Sequence, residues 1–393
     1  MRRVWLGASG LLGFLIGGYF LGNYYTTHAR WEVASYADLP GWHTADLRPS
    51  LDAFQISCRW LLKRSPERNV GNKTFPLIVK DWLPVCQKAL NLDKNSPQNV
   101  KAFFEQTFMP VHWTSPRSKT GLFTGYFSPI YPGNLEKTTQ YTVPIYSLPT
   151  DLIKIPLTLF DPKLPNRTLI GRIVGQQVRP YYTRAEIDKR AMRAQALVWL
   201  KDEIDRVVLE IQGAGLVQLP NGQQVALGYA GENGAPYRSI AKALIDRGVF
   251  TKDTASMQHI RQYVKTHPAV GRAIINYNPS FVFFSKLPHA YTPSSLGYPL
   301  TPGYSMAVDK TWVPLGVPVW IDTQQPQQNT AQTAPLQRLM IAQDVGGAIK
   351  GKVRGDIFWG VGEQASHLAE HTKYTGNDWL LLPRTFVNKR LKK

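Results

Sequence analysis

The stretch at 342–360, AQDVGGAIKGKVRGDIFWG, holds two carboxylates that are candidates for acid–base chemistry. Asp356 opens an apolar run beside Phe358 and Trp359. A carboxyl group pressed against apolar surface has a raised pKa, because desolvation disfavours its charged form, and it can then act as a general acid. Asp344 follows an apolar run and precedes glycines, where a carboxylate commonly accepts backbone N–H bonds and stays ionised. A plain turn with two solvated aspartates is the alternative.

Glycine and positive charge surround these two aspartates. Gly346 and Gly347 would let the backbone approach a ligand closely at the end of the run RLMIAQD. No histidine, cysteine or glutamate lies between the aspartates. Any chemistry of this stretch therefore rests on the carboxyl groups.

Other catalytic patterns are weaker. His367, Glu370 and His371 match the H-x-x-E-H pattern of inverted zinc peptidases, but no glutamate follows to serve as a third ligand. The sequence contains no G-x-S-x-G nucleophile elbow and no G-x-x-x-x-G-K-[ST] phosphate loop. We therefore expect no metal and no cofactor.

The composition bounds the class of protein. A chain of 393 residues favours two domains, and a formal charge of +19 favours a polyanionic partner or surface. No recognition helix, zinc finger or aromatic RNA-binding signature is present, so nucleic acid is not the expected partner.

The N-terminus predicts a membrane segment. Arg2 and Arg3 precede an uncharged run at 4–25, which is long enough to span a bilayer and would leave the rest of the chain outside the cytoplasm. A cleaved signal peptide is the alternative, although Thr27-His28-Ala29 is a poor cleavage site. No cysteine follows the run, which excludes a lipoprotein anchor.

Cys58 and Cys86 are the only cysteines. Outside the cytoplasm two cysteines can form a disulfide. Two buried free thiols are the alternative, and both readings stay open on sequence alone.

The elements that must position these residues are mainly β with flanking helices. Aromatic, β-branched runs with proline and glycine begin at Gly121 and return after Pro279, and Asn221-Gly222 is a strong hairpin signal. Helical spacing is predicted at 51–63, 99–107, 183–200, 236–248 and 254–267, and strand, turn and strand at 207–229. The irregular alternation argues against a doubly wound sheet and favours a β-rich barrel or sandwich.

The order of several motifs resembles the membrane-bound lytic murein transglycosylase A family. The matching pieces are GLFTGYFSPIY, IQGAG, GYAGENGAPYRSIAKALIDRG, NPSFVFF and DVGGAIKGKVRGDIFWG, which cover roughly 120–365. Asp309, Asp344 and Asp356 match the three aspartates that give the C-terminal 3D domain its name.

The resemblance implies a double-psi β-barrel with a second β-rich domain inserted in it and a deep groove between the two. We expect a membrane anchor or signal segment at 1–30, a helical and barrel domain at 31–127 and 231–393, and an inserted domain at 128–230. It also implies cleavage of the MurNAc–GlcNAc β-1,4 bond of peptidoglycan without water, which leaves a 1,6-anhydroMurNAc end.

By the resemblance, Asp356 is the single catalytic acid and then base, and Asp344 and Asp309 support it. One carboxyl group suffices because the muramic C6 hydroxyl supplies the nucleophile, whereas a hydrolase needs a second carboxylate. Candidates for binding sugar faces, hydroxyls and anionic groups are Tyr126, Phe127, Gln212, Tyr229, Asn233, Tyr237, Gly346, Gly347, Lys350, Arg354, Phe358 and Trp359. Core packing is the alternative for each aromatic residue.

Two departures from the family pattern concern anchoring and one hydroxyl. The chain lacks the lipid-modified cysteine of many relatives, and Ala214 stands where the family often has serine. We expect a periplasmic enzyme anchored in the inner membrane, with peptidoglycan strands as partner. A noncatalytic peptidoglycan-binding scaffold and a hydrolase that shares the barrel are the alternatives.

Overall fold

The computed structural model describes residues 31–114, 120–251, 254–288, 292–327 and 332–392. They form two compact units. Unit one takes residues up to Gly125, Ser294–Phe358 and those from Leu368 onward, and unit two takes Tyr126–Pro293 and Trp359–His367. Among all the described residues, no helix is long and apolar enough to cross a membrane. The predicted anchor at 4–25 lies outside the described residues.

Unit one is mainly β with flanking helices, as predicted. Its helices are α1 (Arg48–Leu61), α2 (Val79–Leu90), α3 (Pro97–Thr107) and, at the C-terminus, a helix at Arg384–Leu391. Its strands are β1 (Trp31–Val33), β2 (Phe108–Trp113), β13 (Ser305–Val308), β14 (Pro318–Pro326), β15 (Thr333–Asp344) and β17 (Lys373–Pro383). Strands β3 (Gly121–Ser128) and β16 (Arg354–Val361) contribute residues to both units.

The strand pairings of this sheet close into a ring. The order runs β17, β14, β15, β13, β16 and β3, and β3 pairs with β17 again. Ring closure leaves none of these six strands with a free edge, which is the defining property of a barrel. The double-psi crossing that the family resemblance implies stays a prediction.

Helix α1 packs against the barrel strand that ends at Asp344. Its apolar residues recur with helical spacing and are buried, among them Leu51, Phe54 and Leu61. Ser50 Oγ donates to Leu339 O at 2.8 Å, and the buried amide of Gln343 donates to Ala53 O at 2.9 Å. These side-chain bonds satisfy buried backbone carbonyls and fix the helix on β15.

Cys58 on α1 and Cys86 on α2 form a disulfide with a Cα–Cα distance of 5.0 Å. Both cysteines are fully buried. The pairing that the sequence left open is thus present, and it joins the two N-terminal helices across 28 residues of chain.

Unit two contains two sheets and several helices. A six-stranded sheet has the order β12, β11, β10, β4, β9, β5, and a three-stranded sheet has the order β6, β7, β8. The strands are β4 (Ile130–Asn134), β5 (Val143–Tyr146), β6 (Ile153–Pro156), β7 (Thr168–Val174), β8 (Gln177–Pro180), β9 (Ala196–Leu200), β10 (Ala214–Gln218), β11 (Gln224–Glu232) and β12 (Val282–Lys286). The helices are Arg184–Ile187, Glu203–Gln212, Ile240–Asp246, Met257–Thr266, Pro268–Tyr277 and Glu363–His371, the last of which ends in unit one.

A buried ion pair holds part of unit two together. The guanidinium of Arg184 is fully buried and pairs with the carboxylate of Glu210. Its Nε donates to Asn278 O at 3.1 Å, and Nη2 donates to Ser280 O at 2.6 Å. Four of its five N–H donors thus have acceptors, and such pairing is the condition under which a buried charge is tolerated.

The second compact unit is longer than the predicted inserted domain. The inserted domain at 128–230 stays a prediction, and the compact unit that contains it continues to Pro293. The reason is that β12 pairs with β11, and the helices between them pack on a core around Ile204 and Ile274. The segment 231–293 thus groups with the second unit.

Two predictions of local structure in this unit were wrong. The helix expected at 183–200 is confined to Arg184–Ile187, and Ala196–Leu200 is instead strand β9, which pairs with β4 and β5. The first strand expected in 207–229 is shorter than predicted, because residues 207–212 belong to the helix Glu203–Gln212 and only Ala214–Gln218 is strand. Asp202 caps that helix and Gly213 ends it in the left-handed conformation. The hairpin at Asn221-Gly222 is confirmed by the pairing of β10 with β11.

We predict that the disulfide stabilises unit one by about 3 kcal/mol, because it restricts a loop of this length in the unfolded chain. The double variant Cys58→Ser, Cys86→Ser should unfold at lower denaturant concentration, as should the reduced wild type. Urea titration followed by circular dichroism measures this difference. Reduction should leave the unfolding of the double variant unchanged, and equal midpoints for oxidised and reduced wild type would contradict the prediction.

A second prediction concerns Asp378 on β17. Its Oδ1 has no hydrogen-bond partner among the described residues, and burial raises the pKa of this carboxyl to about 8. The folded state therefore holds a proton that the unfolded chain releases near pH 4, so stability falls as pH rises from about 4 to about 8. Asp378→Asn should remove this slope.

The measurement is the free energy of unfolding from pH 4 to pH 8. The difference between Asp378→Asn and wild type should grow in favour of the variant with rising pH, by at most about 1.4 kcal/mol per pH unit. Asp246→Asn, an exposed change on a helix surface, controls for the loss of one negative charge. A difference that is constant with pH would contradict the prediction.

Candidate active site

Strand β13 brings two of the three predicted aspartates together. Ala307 is in register with Asp344 on the parallel strand β15 and with Asp356 on the antiparallel strand β16. In-register neighbours project to the same face of a sheet, and two strand spacings amount to about 10 Å between Cα atoms. The pairing therefore places the two aspartates on either side of Ala307, at a shift in register between Met306 and Ala307, and the charge of Asp344 acts on Asp356.

Asp356 accepts a short hydrogen bond from a threonine on β3. The distance from Thr124 Oγ1 to Asp356 Oδ1 is 2.5 Å. Arg354 Nη2 donates to the same Thr124 oxygen at 2.9 Å. Because this donation occupies a lone pair of the hydroxyl oxygen, the hydroxyl proton of Thr124 is available for the carboxylate. Arg354, Thr124 and Asp356 thus form one directed chain of hydrogen bonds.

The pKa of Asp356 is raised above its ordinary value. Burial is the largest cause, and the negative charge of Asp344 adds to it. The bond from Thr124 and the positive charge of Arg354 act in the opposite direction and limit the shift. A carboxyl group poised between these effects can both release and recover a proton, which is the property that acid–base catalysis requires.

Asp344 is held by a serine that sequence analysis did not single out. Ser295 donates its backbone N–H at 3.0 Å and its hydroxyl at 2.5 Å to Asp344 Oδ1. Ser295 Oγ also accepts from the backbone N–H of Val345 at 3.2 Å. The carboxylate of Asp344 is therefore fixed in place at the start of the glycine-rich turn.

Asp309 forms hydrogen bonds at the other end of that turn. It is buried and accepts from Gly351 N at 3.0 Å and from Thr311 Oγ1 at 2.7 Å. Burial alone would raise the pKa of Asp309, but these bonds and the charge of Lys350 outweigh it and hold the pKa below the ordinary value. Asp309 thus stays ionised and orders the backbone near Asp356.

The turn also needs a glycine at a position that was not predicted. Gly351 has φ +127°, a conformation that L side chains rarely adopt. A Cβ at Gly347 would meet nothing within 4 Å, and one at Gly346 would lie 2.7 Å from Ile349 Cγ1. Gly347 and Lys350 are exposed, so the backbone of this turn is accessible.

Arg354 was expected to contact anionic groups of a ligand, which stays a prediction, and its guanidinium already bonds several groups of unit one. Besides Thr124, it donates to Leu122 O at 3.2 Å and to Gly355 O. Burial lowers the pKa of Arg354, and the charge of Asp356 raises it. Its contacts give it a role in orienting Thr124.

The contacts of Asn233 in unit two argue against its predicted role in sugar binding. Its amide nitrogen donates to Tyr182 O and Pro279 O, both at 2.8 Å, and its oxygen accepts from Phe281 N at 3.0 Å. The side chain is 2% exposed. Asn233 therefore joins backbone segments of unit two.

The other predicted binding residues divide by exposure. Phe127 and Phe358 are buried, so core packing is the reading that their burial favours. Tyr229 and Tyr237 are 54% and 56% exposed. Tyr126, Trp359 and Gln212 are partly exposed, and Gln212 Oε1 accepts from Phe127 N at 3.3 Å.

Thr124 and Ser295 were not predicted from the sequence. Thr124 lies within the quoted motif GLFTGYFSPIY, but no local pattern connects it to a residue 232 positions away. Ser295 lies in a loop that resembles any polar turn. Within the described ranges, no cluster of three or more His, Cys, Asp or Glu side chains has the arrangement of a metal site.

Comparison with known proteins gives two family matches. Residues 122–285 match the MltA specific insert domain, and residues 304–382 match the 3D domain. The membrane-bound lytic murein transglycosylase A of Escherichia coli strain K12 is 33% identical over 263 residues. The aligned region covers 66% of this chain, and the chain spans 65% of the length of that relative.

Solved structures extend the similarity over most of the chain. The crystal structure of MltA from Neisseria gonorrhoeae in a monoclinic form has 32% identity and a TM-score of 0.77, covering 90% of this chain and 92% of that one. The crystal structure of E. coli MltA with bound chitohexaose has 26% identity and a TM-score of 0.62, covering 85% and 90%.

We predict that Thr124→Val raises the pKa of Asp356 further, because valine keeps the shape of threonine but cannot donate to the carboxylate. The Asp356 carboxyl resonance, followed by ¹³C NMR across pH, measures the shift. Thr124→Ser keeps the hydroxyl and serves as the matched control. Equal titration curves for the valine and serine variants would contradict the directed hydrogen-bond chain.

Proposed function

Because this chain belongs to the membrane-bound lytic murein transglycosylase A family, we propose that it cleaves the MurNAc–GlcNAc β-1,4 bond of peptidoglycan. The reaction proceeds without water and leaves a 1,6-anhydroMurNAc end. The observation that carries this proposal is Asp356, a single carboxyl group with a raised pKa that accepts a hydrogen bond from Thr124.

In the first half of the proposed reaction, protonated Asp356 gives its proton to the glycosidic oxygen. The bond between that oxygen and muramic C1 breaks, and the GlcNAc side leaves as an alcohol. Positive charge develops on C1 and the ring oxygen. The raised pKa of Asp356 favours the protonated form that this step requires.

In the second half, the C6 hydroxyl of the same muramic ring attacks C1. Its proton goes to the Asp356 carboxylate, which restores the starting state. Thr124 and Arg354 stabilise the carboxylate between the two halves, because both lower the pKa of Asp356. Intramolecular attack needs no second protein carboxylate to activate water, and it gains from the proximity of C6 to C1.

Asp344 supplies electrostatic support in this scheme. Its negative charge raises the pKa of Asp356 and is available to stabilise the oxocarbenium-like transition state. Ser295 fixes the Asp344 carboxylate, so the charge needs little reorganisation during the reaction. Asp309 contributes through the turn that ends at Gly351.

Candidate contacts with the polymer are the exposed groups among the predicted residues. Aromatic rings stack on sugar faces, and Tyr229 and Tyr237 keep more than half of their surface exposed. Lys350 is exposed and suits the lactyl or peptide carboxylates of the wall. The chitohexaose bound to E. coli MltA, a relative of this chain, supports an extended sugar polymer as ligand.

We assign the protein to the cell envelope, on the periplasmic side, with the run at 4–25 as its anchor. The relatives are named membrane-bound, and the disulfide between Cys58 and Cys86 suits an oxidising compartment. Anchoring in the inner membrane follows from the proposal that this run is not cleaved.

We predict that Asp356→Asn lowers the cleavage rate by about 10³-fold or more, because asparagine can neither give nor recover the proton. Mass spectrometry of muropeptides from digested peptidoglycan measures the loss of anhydroMurNAc products. The matched control is Asp246→Asn, which changes an aspartate on an exposed helix surface and should keep full activity. Retained activity of Asp356→Asn would refute the assignment.

The same assay separates the proposal from its alternatives. Wild-type digestion in heavy-oxygen water should give product ends without the heavy isotope. Reducing MurNAc ends that carry the isotope would identify a hydrolase. Binding to sacculi without new chain ends would identify a noncatalytic scaffold.

A further inference from the structure

Three basic side chains of unit one lie just beyond the end of helix α1. Lys63, Arg64 and Arg68 follow Leu61, the last residue of that helix, and we call them the α1 basic cluster. Lys63 and Arg68 are exposed, and Arg64 is half-buried. Glu67 is the one acid in this stretch of sequence. Within the described residues, no member of the cluster forms an ion pair.

The guanidinium of Arg64 is held in place without an acidic partner. Its Cζ lies 4.0 Å from the centroid of the Trp60 ring, and its Nη1 donates to Trp60 O at 2.6 Å. Its Nε is buried and has no acceptor among the described residues. Burial and the positive charge of Arg68 both lower the pKa of Arg64, because each disfavours a positive charge. A bound anion would offset both effects.

The α1 basic cluster lies beside the loop that holds Asp344. Lys63 Nζ is 5.3 Å from the centroid of the Tyr298 ring. Ser294 N donates to Tyr298 O at 2.7 Å, which closes residues 294–298 into a tight loop, and Ser295 of this loop donates to Asp344. The same short loop therefore contacts Asp344 at one end and Lys63 at the other. Their charged groups are thus separated by on the order of 15 Å.

The direction of helix α1 gives the same location. Ser50 is bonded to Leu339 and Ala53 to Gln343, so the helix and strand β15 run in the same direction. The strand ends at Asp344, and the α1 basic cluster follows the corresponding end of the helix. The cluster therefore lies at the end of the barrel that carries the candidate site.

We propose that the α1 basic cluster binds the carboxylates of the stem peptide on the muramic residue at the candidate site. This inference rests on the proposed function, because it takes peptidoglycan as the substrate. The stem peptide begins at the lactyl group of the muramic ring and contains acidic residues. An extended peptide advances about 3.5 Å per residue, so carboxylates on its second to fourth residues lie about 7–14 Å from the lactyl group.

The reach of the stem peptide matches the position of the α1 basic cluster relative to Asp344. Guanidinium groups bind carboxylates through paired, charge-assisted hydrogen bonds, and the stacked Arg64 is already ordered for such a contact. The location favours these carboxylates over a lipid headgroup, because the sugar on which Asp356 acts brings the stem peptide to this place. The cluster would then make the enzyme prefer strands whose peptides carry free carboxylates.

The test compares two versions of the same uncross-linked glycan strands. Amines of the stem peptides are acetylated in both, and in one version the carboxyl groups are also converted to methylamides, which removes the negative charge and keeps the peptide. Fluorescence anisotropy of end-labelled strands measures the Kd with the full-length Asp356→Asn protein in detergent, so binding is measured without cleavage. The values of kcat and KM are measured with the active protein.

Two matched double variants separate the α1 basic cluster from general electrostatic attraction. Lys63→Gln with Arg68→Gln removes two exposed charges of the cluster. Lys389→Gln with Arg390→Gln removes the same two types of charge from the exposed surface of the C-terminal helix. This control is needed because the whole chain has a formal charge of +19 and attracts any anionic polymer.

At low ionic strength, the protein without these double substitutions should bind acidic strands about fivefold more tightly than neutral strands. Lys63→Gln with Arg68→Gln should reduce this ratio below about twofold and raise KM for acidic strands more than for neutral strands. The control variant should keep the fivefold ratio. Equal ratios in the two double variants would overturn the proposal, as would a ratio near one before any of these charges is removed. The expected Kd ratios without anhydroMurNAc products from the active protein would refute the proposed function alone.

Discussion

The pairing of β13 with β15 on one side and β16 on the other is the constraint on which the candidate site depends. It sets Asp344 and Asp356 in register with Ala307, although 11 residues separate them in sequence. The other residues of the site form hydrogen bonds to these two aspartates or to the turn between them. Ser295 fixes one carboxylate, Thr124 bonds the other, and Asp309 orders the turn between them.

The same arrangement explains how one carboxyl group can serve in two protonation states. Burial and the charge of Asp344 favour the protonated form of Asp356, whereas the bond from Thr124 and the charge of Arg354 favour the ionised form. These opposed effects come from three different strands of the ring. A change in any one of these effects shifts the pKa of Asp356 and leaves the carboxyl group itself in place.

Sequence alone predicted the parts of this molecule that local pattern determines. The apolar runs of β15, β16 and β17 are strands, and the family motifs identified Asp309, Asp344 and Asp356. Local pattern failed where tertiary contacts decide, as in Ala196–Leu200, which is a strand because β4 and β5 pair with it. The roles of Thr124 and Asn233 were out of reach for the same reason, since their partners lie far away in sequence. Asp202 and Gly213 were overlooked cap signals that would have identified the helix between them.

Closure of the barrel determines how the candidate site loses its geometry when the protein unfolds. Strand β16 has hydrogen-bonded neighbours on both sides, so it cannot fray from an edge. Amide protons near Asp356 are therefore expected to exchange with solvent only when the ring opens as a cooperative unit. Loss of the geometry of the candidate site on heating would then coincide with global unfolding of unit one, and an intermediate in which only the surroundings of Asp356 are disordered would not accumulate.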